Sequence, residues 1–83
     1  MKFQDYLQEQ ASLSNSEMEY RAEKSMKTAN EHINLAGTSN DSEERKMHHA
    51  VASAHYKVAS HYFGKAGRTE DAKHADNFHH MYK

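Results

Sequence analysis

The chain contains no cysteine, no proline and no tryptophan, and it has only three glycines. Without cysteine a disulfide scaffold is excluded. Large aliphatic residues are scarce as well, and no apolar run approaches the ~18 residues of a membrane-spanning helix. No basic segment followed by an apolar one opens the chain, so we predict no signal peptide. We therefore expect a cytoplasmic protein that makes no contact with membranes.

The chain also lacks an excess of either sign of charge, because its 11 Lys and Arg nearly balance its 12 Asp and Glu. This balance argues against a general nucleic-acid binder, since such proteins carry a basic surface. No glycine-rich phosphate loop and no nucleophile motif are present, so we predict neither an enzyme nor a bound cofactor. The unusual feature is histidine, with eight residues among 83.

What is present is helical periodicity, which predicts one all-α domain over residues 1–83. We expect a small bundle of three main helices, over about 15–36, 42–65 and 70–82. A short N-terminal helix over 1–12 would precede them. The arrangement resembles helical hairpins, with each long helix packed against the next.

Capping residues define the expected helix ends. Ser14 and Glu17 form a capping box at the start of the first long helix. Gly37 and Gly67 are placed to end the first two helices in the left-handed conformation, and Thr69 is placed to cap the last one. The helix over 42–65 should begin after the polar loop that precedes it.

The helix over 42–65 carries apolar residues on two opposite sides, which is typical of a helix between two neighbours. We therefore place it at the centre of the fold. The sequence leaves open which stripe is internal. One stripe comprises Met47, Ala50, Val51, Ala54, Val58 and Tyr62. The other comprises Ala52, Tyr56, Ala59, Phe63 and Ala66.

Residues 22–41 align with residues 52–71, with six identical positions among the twenty. Duplication of a helical unit is one explanation, and chance alignment of Ala-rich helices with Gly stops is the other. The Ala and aromatic spacing and the Ala-Gly turn resemble the helical hairpins of tetratricopeptide-type repeats. The Trp and Pro positions of that repeat have no counterpart here.

Small residues bury little area, so the core of a monomer would be thin. The chain has only two Val, one Ile and three Leu, whereas Ala occurs eleven times. Each large apolar side chain contributes roughly 1.5–3 kcal/mol on full burial. Self-association would bury the remaining apolar faces, so we expect a homodimer or a higher oligomer.

Several histidines have the spacing of metal ligands on a helix. Asp-x-x-His steps resemble the carboxylate–His steps of di-iron bundles, although those bundles use Glu. The metal candidates are Glu44, His48, Asp71, His74, Asp76 and His79. A solvated surface role is the competing interpretation of the same residues.

The leading functional hypothesis is a non-catalytic helical interaction module. It would act as a small adaptor or stoichiometric inhibitor that occludes a partner surface, and phage or mobile-element origin would suit its size. The candidate partner contacts are Tyr20, Tyr56, Phe63 and Arg68, because Tyr and Arg are enriched in binding hot spots. Tyr56 and Phe63 could equally belong to the core. Alternative functions are a His/carboxylate metal-binding bundle and an oligomeric small-molecule or nucleotide sponge.

Overall fold

A capped helix start opens the described part of the chain. The computed structural model describes residues 14–83, so the short N-terminal helix predicted over 1–12 lies outside the described residues. The Ser14 hydroxyl accepts a hydrogen bond from the Glu17 amide at 3.2 Å, as the capping box predicts. From there the first helix, α1, runs over Asn15–Thr38.

The loop between the first two helices depends on polar side chains rather than on a glycine in the left-handed conformation. Helix α1 continues through Gly37 to Thr38, and Ser39 ends it in extended backbone. Gly37 does not adopt a positive φ, so its predicted capping role is wrong. Asp41 caps the next helix by accepting from the Glu43 amide at 2.9 Å. Helix α2 then runs over Ser42–Lys65 without a break.

The turn after α2 depends on glycine. Gly67 has φ +82°, a left-handed conformation that a Cβ disfavours. The Arg68 amide donates to the Phe63 oxygen and the Gly67 amide to the Gly64 oxygen, which together form a Schellman motif. Helix α3 follows over Thr69–Tyr82.

The two aligned segments therefore end differently, since only the second uses its glycine in the left-handed region. Thr69 is the first residue of α3 rather than its cap. Arg68 occupies the cap position and makes no side-chain hydrogen bond to the helix start. The predicted cap is thus displaced by one residue, because Arg68 completes the Schellman motif of α2.

Gly67→Ala should lower the free energy of unfolding by about 1–2 kcal/mol, because alanine resists the left-handed conformation. Gly64→Ala is the matched control, since Gly64 is helical and a Cβ there would meet nothing within 4 Å. That change should raise stability by about 0.5–1 kcal/mol. Urea unfolding followed by circular dichroism measures both, and equal effects of the two substitutions would contradict the prediction.

Alanines and two aromatic side chains form the core. The buried apolar residues are Ala22, Ala29, Ala36, Ala52, Tyr56, Ala59, Phe63 and Ala75. Helices α1 and α3 both pack on α2, which confirms its central position. The buried side of α2 is the stripe that contains Tyr56 and Phe63, so the structure decides the choice that the sequence left open.

Tyr56 connects all three helices. Its hydroxyl donates to Asn30 Oδ1 of α1 at 2.6 Å, and its ring lies 5.2 Å from the Phe78 ring and 6.0 Å from the Tyr82 ring. Burial raises the pKa of the Tyr56 hydroxyl above its ordinary value of about 10, and the neighbouring Tyr82 raises it further.

The raised pKa of Tyr56 predicts a loss of stability in alkali. The folded state holds the Tyr56 proton more tightly than the unfolded state does. Its contribution is therefore complete below the unfolded pKa of about 10 and is lost as the pH rises through the folded pKa. Between about pH 9 and pH 11, the free energy of unfolding should fall more steeply for the wild type than for Tyr56→Phe. Parallel curves for the two proteins would refute this.

Within residues 14–83, no helix combines the length and the hydropathy needed to cross a bilayer.

Candidate functional site

One candidate surface is the side of α2 that neither α1 nor α3 covers. Its exposed residues are Glu43, Met47, Ala50, Ala54, Val58, His61 and Lys65, which we call the outer face of α2. At 100° per residue they occupy an arc of about 80°. Met47 is 55% exposed and Val58 is 42% exposed, which is high for side chains of their type.

This outer face includes most of the apolar stripe that begins at Met47. Val51 and Tyr62, the other members of that stripe, are half-buried at its edge. The expectation that protein covers both sides of α2 is therefore met on one side only within residues 14–83. The physical reason is that both neighbouring helices pack on the same half of α2, against Tyr56 and Phe63.

The four predicted partner contacts do not form one surface. Tyr20 is exposed on α1 at 65%, whereas Tyr56 and Phe63 are buried at 2% and 4%. Tyr56 and Phe63 are thus core residues, which is the alternative that the sequence allowed. Their large rings fill the space between helices whose other contacts are mostly alanine.

Arg68 is engaged within the fold. Its guanidinium lies 4.6 Å from the centre of the Phe63 ring, where the Schellman motif commonly places an apolar contact. Its Nε donates to Asp71 at 2.7 Å and its Nη1 to Glu23 at 3.1 Å. The hydrogen bonds to Glu23 and then to Asp71 raise the pKa of Arg68 above its already high value. Arg68 therefore ties α1 to the start of α3.

The metal candidates are dispersed. Asp71 pairs with Arg68, Asp76 lies 3.5 Å from His80 rather than beside His79, and His74 is exposed. Among these candidates only Glu44 and His48 approach each other as their spacing suggests, with His48 Nε2 3.6 Å from Glu44 Oε1. In the part of the chain that the structure describes, no three His, Asp or Glu residues are grouped to hold a metal ion.

A histidine contact between α1 and α2 escaped the sequence analysis. His32 Nδ1 and His48 Nδ1 are 2.9 Å apart, so one ring donates a hydrogen bond and the other accepts it. His55 stacks on His32 at 6.4 Å. The sequence does contain a signal for this contact. His32 and His48 are equidistant from the loop at Asn40, and an antiparallel hairpin places such residues opposite each other.

Ser53 and His79 form a partly buried contact between α2 and α3. The Ser53 hydroxyl donates to the His79 backbone oxygen at 2.9 Å. His79 Nδ1 lies 2.8 Å from Ser53 Oγ and 2.9 Å from the Ser53 backbone oxygen, so its N–H donates to these two acceptors. The hydroxyl proton is thus directed at a peptide oxygen, whereas a serine nucleophile must direct it at a base.

Tyr and Lys side chains line two open grooves, of about 440 Å³ and 470 Å³. The first lies along α1 and includes Tyr20, Lys24 and Lys27, but also Glu23 and Glu31, whose charges oppose an anion. The second lies between α2 and the end of α3. It is lined by Lys46, His49, Ala50, Met81, Tyr82 and Lys83.

Comparison with known proteins adds no functional assignment to this geometry. The chain matches no protein-family model, no curated protein and no solved structure at a significant level.

Proposed function

We propose that the protein is a non-catalytic helical interaction module that binds through the outer face of α2. The observation that carries the proposal is the continuous exposure of Met47, Ala50, Ala54 and Val58 along a helix of 24 residues. A row of exposed apolar side chains at helical spacing is the arrangement by which one amphipathic helix packs on another. The module would act as an adaptor or stoichiometric inhibitor by covering its partner's surface.

Charge at the two ends of the outer face specifies the partner's chemistry. Glu43 lies in the first turn of α2 and Lys65 lies in the last turn. A complementary partner therefore presents an apolar helix with a basic residue opposite Glu43 and an acidic residue opposite Lys65. Ala50 and Ala54 allow the partner's backbone to approach closely, toward the ~8 Å end of the usual range between helix axes.

The polar pairs within the fold support a non-catalytic role. Ser53 and His79 satisfy each other and the backbone between two helices, and His32 and His48 bond to each other across the first hairpin. Each pair joins two helices, so its hydrogen-bonding capacity is used to hold the bundle together.

A photo-cross-linking amino acid at position 54 tests this proposal in cells that express the gene. We expect a product of defined mass that disappears when Val58→Asp is added. The same cross-linker at Lys73, an exposed residue of α3, is the matched control. Cross-linking from position 54 that is no stronger than from position 73, or that survives Val58→Asp, would overturn the proposal.

A further inference from the structure

The positions of the outer face of α2 are spaced symmetrically about Ala54, as the helical repeat dictates, while its side chains differ between the two halves. Counted from Ala54, its other members lie 4, 7 and 11 residues away on each side. Residues of opposite charge occupy the two ends, with Glu43 at the start and Lys65 at the end. A face with this symmetry is complementary to itself when a second copy is turned end over end.

Antiparallel pairing of two copies brings complementary side chains together. With Ala54 on a two-fold axis, Glu43 of each chain faces Lys65 of the other, and Ala50 faces Val58. The two Ala54 side chains meet at the centre, where their small size permits close contact. Met47 lies opposite His61, an aliphatic thioether against an aromatic ring, which is a favourable contact.

In a parallel pairing of two copies, the same residues would not be complementary. It would place Glu43 beside Glu43 and Lys65 beside Lys65, so both ends would carry like charges. It would also set Val58 against Val58 and Ala50 against Ala50, which alternates crowding with gaps along the contact. These residues therefore favour antiparallel over parallel pairing of two copies.

We propose that a second copy of this chain occupies the outer face of α2, in an antiparallel dimer centred on Ala54. This inference rests on the proposed function, because it names the partner of the same surface. The contact is one helix wide and about 33 Å long, from 22 residues at 1.5 Å each. An interface of that size belongs to the small class, so we expect dissociation in the micromolar range.

Sedimentation equilibrium of the full chain tests self-association. The wild type should pass from the 9.6 kDa chain mass to twice that mass as concentration rises through the micromolar range. Glu43→Lys and Lys65→Glu should each raise the dissociation constant about tenfold, because each leaves like charges opposed at both ends. Combining the two substitutions in one chain should restore the wild-type constant.

Mixing the two single variants gives a sharper test. The first then carries lysine at both ends of the face and the second carries glutamate at both ends. At a concentration near the wild-type dissociation constant, each variant alone should be mainly monomeric, and the mixture should form a heterodimer. Circular dichroism of each variant verifies that α2 is intact, since Glu43→Lys also opposes the helix dipole.

Single cysteines report the orientation, because the chain has no cysteine of its own. Ala54→Cys should form a disulfide-linked dimer under mild oxidation, since facing Cα atoms then lie within disulfide reach. Glu43→Cys is the matched control on the same face, and its two thiols would be about 33 Å apart in the antiparallel dimer. It should form no disulfide-linked dimer under the same oxidation.

Each outcome decides the inference. A chain that stays monomeric at every concentration, or a dimer in which Glu43→Cys cross-links as fast as Ala54→Cys, overturns it. If the photo-cross-linker at position 54 still captures a different protein in a Val58-dependent manner, the interaction module stands and only the self-pairing falls. If neither a dimer nor a captured protein appears, both fall.

Discussion

Tyr56→Ala should lower the free energy of unfolding by about 3–5 kcal/mol. Tyr56 is 2% exposed and is the largest fully buried side chain among the described residues. Its removal opens a cavity that neighbouring alanines cannot fill, and it leaves the Asn30 carbonyl oxygen without its hydrogen bond. A domain of 83 residues has a total stability of about 4–12 kcal/mol, so the variant should lose a large share of its stability.

Two matched substitutions separate the contributions of Tyr56. Tyr56→Phe keeps the ring and removes only the hydrogen bond to Asn30, so we expect a loss of about 1 kcal/mol. Tyr20→Ala removes the same side chain from an exposed position on α1 and should change stability by less than about 0.5 kcal/mol. Urea unfolding measures all three. A loss below about 1 kcal/mol in Tyr56→Ala would show that Tyr56 does not hold the helices together.

Ala59→Leu should destabilise the fold by about 1–3 kcal/mol through overpacking. Ala59 is 0% exposed and lies in a cluster with Ala22, Phe63 and Ala75, from all three helices. Three extra carbon atoms at this position must push α1 or α3 away from α2. Close approach of the helices depends on small side chains here, so the volume cannot be accommodated by rotamer changes alone.

Ala54→Leu is the matched control for Ala59→Leu. It makes the same substitution five residues earlier on the same helix, at an exposed position of the outer face. Leucine and alanine both favour helices, so stability should change by less than about 0.5 kcal/mol. Thermal unfolding at a concentration where the chain is monomeric compares the two. Equal destabilisation by both would contradict the close packing at Ala59.

Helix positions followed from local signals, and these were largely sufficient. The Ser14 N-cap and the Gly67 turn lie where the sequence placed them, because each depends on residues within one turn of the helix end. The prediction that Gly37 ends α1 was wrong because glycine is tolerated inside a helix. The helix continues to Thr38 and ends at Ser39. The contacts of the Arg68 side chain with Glu23 and Asp71 could not be predicted from local patterns, because Glu23 lies on a different helix.

The helical periodicity of the sequence could not predict which side of α2 is exposed. The sequence showed two apolar stripes on α2, but each was an equally good internal side by spacing alone. Tyr56 and Phe63 are buried because their rings fill the gaps between alanine-lined helices. Met47 and Val58 lie on the opposite side of α2 and therefore remain exposed. The His32–His48 contact also depended on the pairing of α1 with α2, which local patterns do not specify.

The sequence by itself determined an all-α chain with three helices, the Ser14 N-cap and the Gly67 turn. These properties depend on residues close together along one helix, where backbone geometry fixes their relation. Only the tertiary structure decided which side of α2 is buried, that Arg68 joins α1 to α3, and which histidines touch. These depend on how volumes and charges on different helices fit together, and that fit is a property of the packed bundle as a whole.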